Sequence, residues 1–161
     1  MNTDVYTGAD GAIVLSTPQS VEGGAGQTIL DRHELTAVGR VQGVRVEVTA
    51  DVRAYHEIGQ RYATQLRPGN VTVRGTIGRA YVNGAMLGLM LGEAADGRPR
   101  ANWVQPAFNI TLRLANPASG SSNILTLHDV KLDSWVYNLP EDEFVMEQVG
   151  YQALFLTVAE E

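Results

Sequence analysis

The ten residues from Val44 to Arg53 alternate without a break. Val44, Val46, Val48, Ala50 and Val52 form one series; Arg45, Glu47, Thr49, Asp51 and Arg53 form the other. Successive side chains of an extended chain point to opposite faces, so this pattern specifies a strand with one apolar and one polar side. A second stretch repeats it. Val71, Val73, Gly75 and Ile77 oppose Thr72, Arg74, Thr76 and Gly78. Pro68-Gly69-Asn70 precedes that stretch and has turn chemistry, since Pro presets φ while Gly and Asn tolerate positive φ. The expectation is two long strands, over residues 38–57 and 70–81, with residues 59–65 as a connection between them and Pro68-Gly69-Asn70 as the turn.

The rest of the chain breaks into shorter blocks. Residues 11–15 (GAIVL) read as a strand. Residues 16–35 contain Pro18, Gly23, Gly24 and Gly26, and read as a loop or arm with at most a helical turn at 27–33. Residues 83–92 form the best helix candidate. Met86, Leu87, Leu89, Met90 and Leu91 leave it almost no polar face, so it is expected to be buried or to pack on another chain. Residues 93–106 form a second long loop, with Arg98, Arg100 and Trp103 in polar surroundings. Alternation returns at 107–114 and 123–137, the latter with an expected bulge near His128-Asp129. An acidic reversal, LPEDE, leads into a last strand over 144–158, with a second expected bulge at Val149-Gly150. About seven strands, one short helix and two long loops describe an all-β sandwich or partial barrel. At 161 residues the chain is expected to be a single domain with an arm around 16–35.

Composition narrows the chemistry. The absence of Cys removes disulfides and thiolate metal sites. The three histidines, His33, His56 and His128, share no metal-ligand spacing. Gly75-x-x-Gly78 lies within a strand and is no dinucleotide fingerprint; phosphate-loop and nucleophile-elbow motifs are missing. The start MNTDVYTGADG has neither a basic nor an apolar leader region, and the longest apolar run is too short to span a bilayer. A net charge of −6 speaks against a protein that wraps DNA or lies on a membrane, but is compatible with a channel that repels phosphate. No catalytic residue, cofactor or metal site is expected.

Two segments together resemble the bacteriophage tail tube proteins. One is E-I-G, P-G-N and R-G-T-I-G-R-A-Y-V-N-G-A-M-L, within residues 57–87. The other is L-H-D-V-K-L-D-S-W-V-Y-N-L-P-E-D-E-F-V-M-E, residues 127–147, similar to the closing hairpin of that family. The resemblance implies a structural virion protein of the tail, assembled in the host cytoplasm. It implies hexameric rings, with long hairpins forming a shared inner barrel, and rings stacked into a tube. The lumen would hold the tape-measure protein and pass DNA without sequence-specific binding. Baseplate or tip proteins, neck or terminator proteins and, around a contractile tube, a sheath protein would be its partners. On this reading Arg45, Glu47, Thr49, Asp51, Arg53, Thr72, Arg74 and Thr76 line the lumen. Leu87, Leu89 and Met90 of the helix, with Arg98, Arg100 and Trp103 of the second loop, meet neighbouring subunits. A self-contained β-sandwich binding, decoration or baseplate module would share this composition. A small β-barrel enzyme fits less well, for want of convergent polar groups.

Overall fold

The computed structural model describes residues 5–100 and 102–160. The first four residues of the polar start, and Ala101 in the second loop, lie outside the described residues. Seven strands and two α-helices follow in the order β1 (Gly11–Ser16), α1 (Val21–His33), β2 (Val41–Tyr55), β3 (Gln65–Ala80), α2 (Ala85–Leu91), β4 (Phe108–Ala115), β5 (Ser122–Asn138), β6 (Met146–Ala153) and β7 (Phe155–Glu160). All strand pairs are antiparallel. They form one sheet in the order β1-β4-β5-β6-β3-β2, with β7 also beside β5. The 17-residue β5 belongs to both halves. Its first part pairs with β4 and β7, its second with β6. The sheet therefore curls round a single core containing Leu15, Val73, Ile77, Ile110, Leu127, Val130, Leu132, Val149 and Tyr151, closed by Ile29 and Leu30 of α1 and Met86 and Leu89 of α2.

The bulge expected near His128-Asp129 is present. Two residues there oppose Asn109, Asp129 takes a positive φ of 53°, and its N–H donates to Asn109 Oδ1 at 3.1 Å. The extra residue turns the strand so that Leu127 before it and Val130 and Leu132 after it are all fully buried.

Four expectations need correction. Pro68-Gly69-Asn70 is not the turn; it lies inside β3, and the chain reverses over residues 56–64, where Gly59 has φ 89°. Gly69 and Asn70 form a bulge opposite Asp51, and a Cβ on Gly69 would stand 2.3 Å from the Asp51 carbonyl oxygen. Proline is tolerated because, past Val73, β3 has only β2 beside it. The segment 16–35 is mostly helix. Ser20 Oγ caps α1 by accepting from Gly23 N–H at 3.0 Å, and Glu34 ends it at φ 50°. Two of its glycines serve close packing: a Cβ on Gly23 would meet Pro18 O at 1.9 Å, one on Gly26 Ala107 O at 2.6 Å. The bulge expected at Val149-Gly150 lies instead on the partner strand, at Asp133, where Gly150 leaves room for Ser134. Finally, the last strand is two. The chain breaks at Leu154, whose N–H donates to His128 O at 3.0 Å, and β7 crosses to the other half of the sheet.

Gly75 and Tyr151 show how a sequence pattern is used. They are cross-strand partners, and the Tyr151 ring lies over the space a side chain would fill; a Cβ on Gly75 would be 2.5 Å from the hydroxyl. Tyr151 Oη donates to Arg45 O at 2.8 Å, tying β6 across β3 to β2. Burial pushes the phenol from 10.0 up to about 12. The folded state thus holds the proton to higher pH than the unfolded state. The stability this contributes is complete below pH 10 and is lost as pH rises through about 12. Chemical unfolding between pH 9.5 and 12 is expected to show that decline, and Tyr151→Phe to flatten it.

Candidate assembly surfaces

β2 begins inside the molecule and ends outside it, and β3 returns from the outer end to the inside. β6 accompanies β3 only over Val73 to Ala80. Among the described residues, 65–72 of β3 pair on one side only, and the other edge of β2 is unpaired along its length. The result is a ribbon that projects well past the core. Its apolar row continues where there is no core to cover. Val73 and Ile77 are buried, but Val48, Val52, Leu66 and Val71 are 52%, 55%, 68% and 63% exposed. Monomeric proteins rarely leave contiguous apolar surface of this kind uncovered, and free strand edges are pairing hazards.

The opposite face of the ribbon is polar, as the alternation requires. The register pairs Arg45 with Thr76, Glu47 with Arg74 and Thr49 with Thr72, so all the expected lumen residues, with Asp51 and Arg53, share one surface. Glu47 contacts Arg45 at 3.4 Å and Arg74 at 3.7 Å; Asp51 contacts Arg53 at 3.5 Å. Arg67 and Gln65 extend the row and were missed because the turn was placed too late. Their signal is the alternation Gln65-Leu66-Arg67-Pro68. The acid excess of the chain does not reside here, since Arg45, Arg53, Arg67 and Arg74 outnumber Glu47 and Asp51. These pairs are solvent-exposed and contribute little. Glu47→Ala and Asp51→Ala are each expected to change subunit stability by no more than about 0.5 kcal/mol in urea unfolding.

The expected interface residues do not form one patch. Leu89 is fully buried within the chain itself, so it is a core residue. Leu87 and Met90 on the same helix are half-buried. α2 is shorter than expected because Asn83 Oδ1 accepts from Ala85 N–H and begins the helix there. Trp103 is half-buried, while Arg98 and Arg100 are exposed. The second loop includes a 3-10 turn (Gly92–Ala95) and is pinned at its end by Gln105 Nε2, which donates to Leu132 O at 2.9 Å.

One polar cluster is buried. Arg79 and Glu147 form an ion pair; Trp135 Nε1 donates to Glu147 Oε2 at 2.8 Å and Arg79 Nη2 to Asn83 Oδ1 at 3.3 Å. Tyr81 and Tyr137 stack over this cluster with ring centroids 5.4 Å apart. All its side chains are partnered, and the cluster joins the base of β3 to β6 and α2. His128 bonds to Thr157 and stacks on Phe155. Among the described residues no group of three or more His, Asp or Glu is arranged to hold a metal ion, and no helix is long and apolar enough to cross a membrane.

No protein-family model matches the chain, and no curated protein matches it in sequence. Solved structures do. A chain of the anti-feeding prophage tube-terminating cap superposes with a TM-score of 0.68 at 12% identity, over 100% of this chain and 95% of that one. A chain of the sheath–tube complex of the PVC extracellular contractile injection system gives 0.66 at 10% identity, over 99% and 94%. The SPP1 tail tube gives 0.62 at 12%, over 98% and 80%. The chain has the tail-tube fold. Tail-tube-like architecture thus accounts for the whole described molecule, including the projecting ribbon.

Proposed function

We propose that the chain is a structural, non-enzymatic subunit of a phage tail or related injection tube. The observation that carries this reading is the ribbon of β2 and β3, apolar on one face, polar on the other and unpaired at its edges. A ring of copies resolves all three features. Neighbouring ribbons pair edge to edge, the apolar rows are covered by the surrounding sandwiches, and the polar rows face a water-filled lumen. Closure of a sheet on itself is what removes its edges. The number six comes from the similar structures, among them an anti-feeding prophage baseplate resolved with 6-fold symmetry. On this reading the lumen holds a tape-measure protein and then passes DNA. Arg45, Arg53 and Arg74 are already engaged by Glu47 and Asp51, which limits their hold on phosphate. Baseplate, neck and, in a contractile tail, sheath proteins are the other partners.

A second reading is a tube-ending ring rather than a repeating tube subunit, favoured by the likeness to a tube-terminating cap and to a sheath/tube terminator. Negative-stain microscopy with light scattering over a wide concentration range separates the possibilities. Stacked rings are the expected result. Single rings that never stack support the terminating role, and monomer at every concentration refutes both.

A further inference from the structure

The tip of the ribbon carries basic side chains without an ion-pair partner among the described residues. The register sets Arg53 directly opposite Arg67. Like charges in that position repel. Asp51 meets Arg53 at 3.5 Å, but Arg67, and Arg61 in the turn, have no ion-pair partner among the described residues. Glu57, the acidic residue of the turn, makes no ion pair among the described residues either, so Arg61 and Arg67 remain exposed and unpaired at a tip where basic residues outnumber acidic ones.

The complement lies at the opposite end of the same sheet. Ala80, the last residue of β3, pairs with Met146, the first of β6. The loop that leads into β6 therefore sits beside the base of the ribbon. That loop, residues 139–145, carries Glu141, Asp142 and Glu143 and no basic residue; the three are exposed and make no ion pair among the described residues. With a rise of ~3.3 Å per residue, Arg67 and Ala80 stand about 40 Å apart along β3. The basic and acidic ends cannot meet within one subunit.

We propose that they meet between copies: Arg61 and Arg67 of one subunit dock on the Glu141-Asp142-Glu143 loop of the next along the tube axis. The contact is head-to-tail, so it does not close and propagates a filament. It supplies stacking between rings, whereas the edges and apolar row of the ribbon supply closure within a ring. Opposite charges at the two ends also set polarity, because tip-to-tip and loop-to-loop encounters repel. The inference rests on the tube reading above.

The test is charge reversal on the full chain. Arg61→Glu with Arg67→Glu is expected to leave rings intact and abolish stacks, and Glu141→Arg with Glu143→Arg to do the same. Combining the four changes is expected to restore tubes. The neutral pair Arg61→Gln and Arg67→Gln repeats the test without introducing new repulsion, and circular dichroism checks folding. Tubes of normal length from either reversed pair, or a combined variant that forms rings but no tubes, overturns the contact while leaving the ring reading intact. Wild-type protein that forms rings but never stacks also overturns it. Wild-type protein that remains monomeric removes the tube reading and this contact together.

Discussion

Arg79→Ala is expected to destabilise the isolated subunit by about 3–5 kcal/mol, the cost of leaving one member of a buried ion pair without its partner. Arg79 is 3% exposed and Glu147 2%, so water cannot replace the lost guanidinium. Trp135 still donates to Glu147 Oε2, but a single neutral donor does not balance a buried carboxylate. The loss also releases Asn83 Oδ1, which holds the first turn of α2. Urea unfolding of the subunit measures the cost. Replacing both partners, as in Arg79→Met with Glu147→Leu, is expected to recover much of it, because an apolar pair of similar volume avoids burying charge. If Arg79→Ala costs less than about 1 kcal/mol, the pair is solvated and the surface median for ion pairs applies.

Leu89→Ala is expected to cost about 2–5 kcal/mol, through lost burial and the cavity left behind. Leu89 is completely inaccessible, and α2 packs on β5 from below while Gly88 lets Ile29 of α1 approach from the side. Leu87→Ala is expected to cost clearly less, since that residue is only half-buried. The contrast decides between two roles for the helix. A core Leu89 lowers subunit stability before any effect on assembly. A Leu89→Ala variant with unchanged unfolding but impaired tube formation would return the residue to the interface.

Both predictions concern features that were legible only in part. Leu89 was visible as part of an apolar helix, whose observed span Ala85–Leu91 lies within the expected one. Periodicity cannot say whether an apolar side chain is covered by its own subunit or by a neighbour. The Arg79–Glu147 pair left no local signal, because its members are separated by 68 positions in the chain. Likewise, the glycines of α1 read as flexibility in the sequence. In the fold Gly23 and Gly26 are the positions where Pro18 and Ala107 come too close for a Cβ, while Gly24 faces open space.

What the sequence determined by itself is the strands and their faces. Alternation is a local property of extended backbone, so Val44 to Arg53 and Val71 to Gly78 declared both their conformation and their two surfaces, and the bulge at Asp129 followed from a change of phase. The tertiary structure decided where those surfaces end. β3 starts at Gln65 rather than Asn70 because β2 continues opposite it and a bulge absorbs Gly69. β6 stops at Ala153, which leaves the ribbon uncovered beyond Val73. Strand pairing and burial depend on residues far apart in the chain. The apolar row that is core at the base of the ribbon, at Val73 and Ile77, is therefore exposed at Val48, Val52 and Val71.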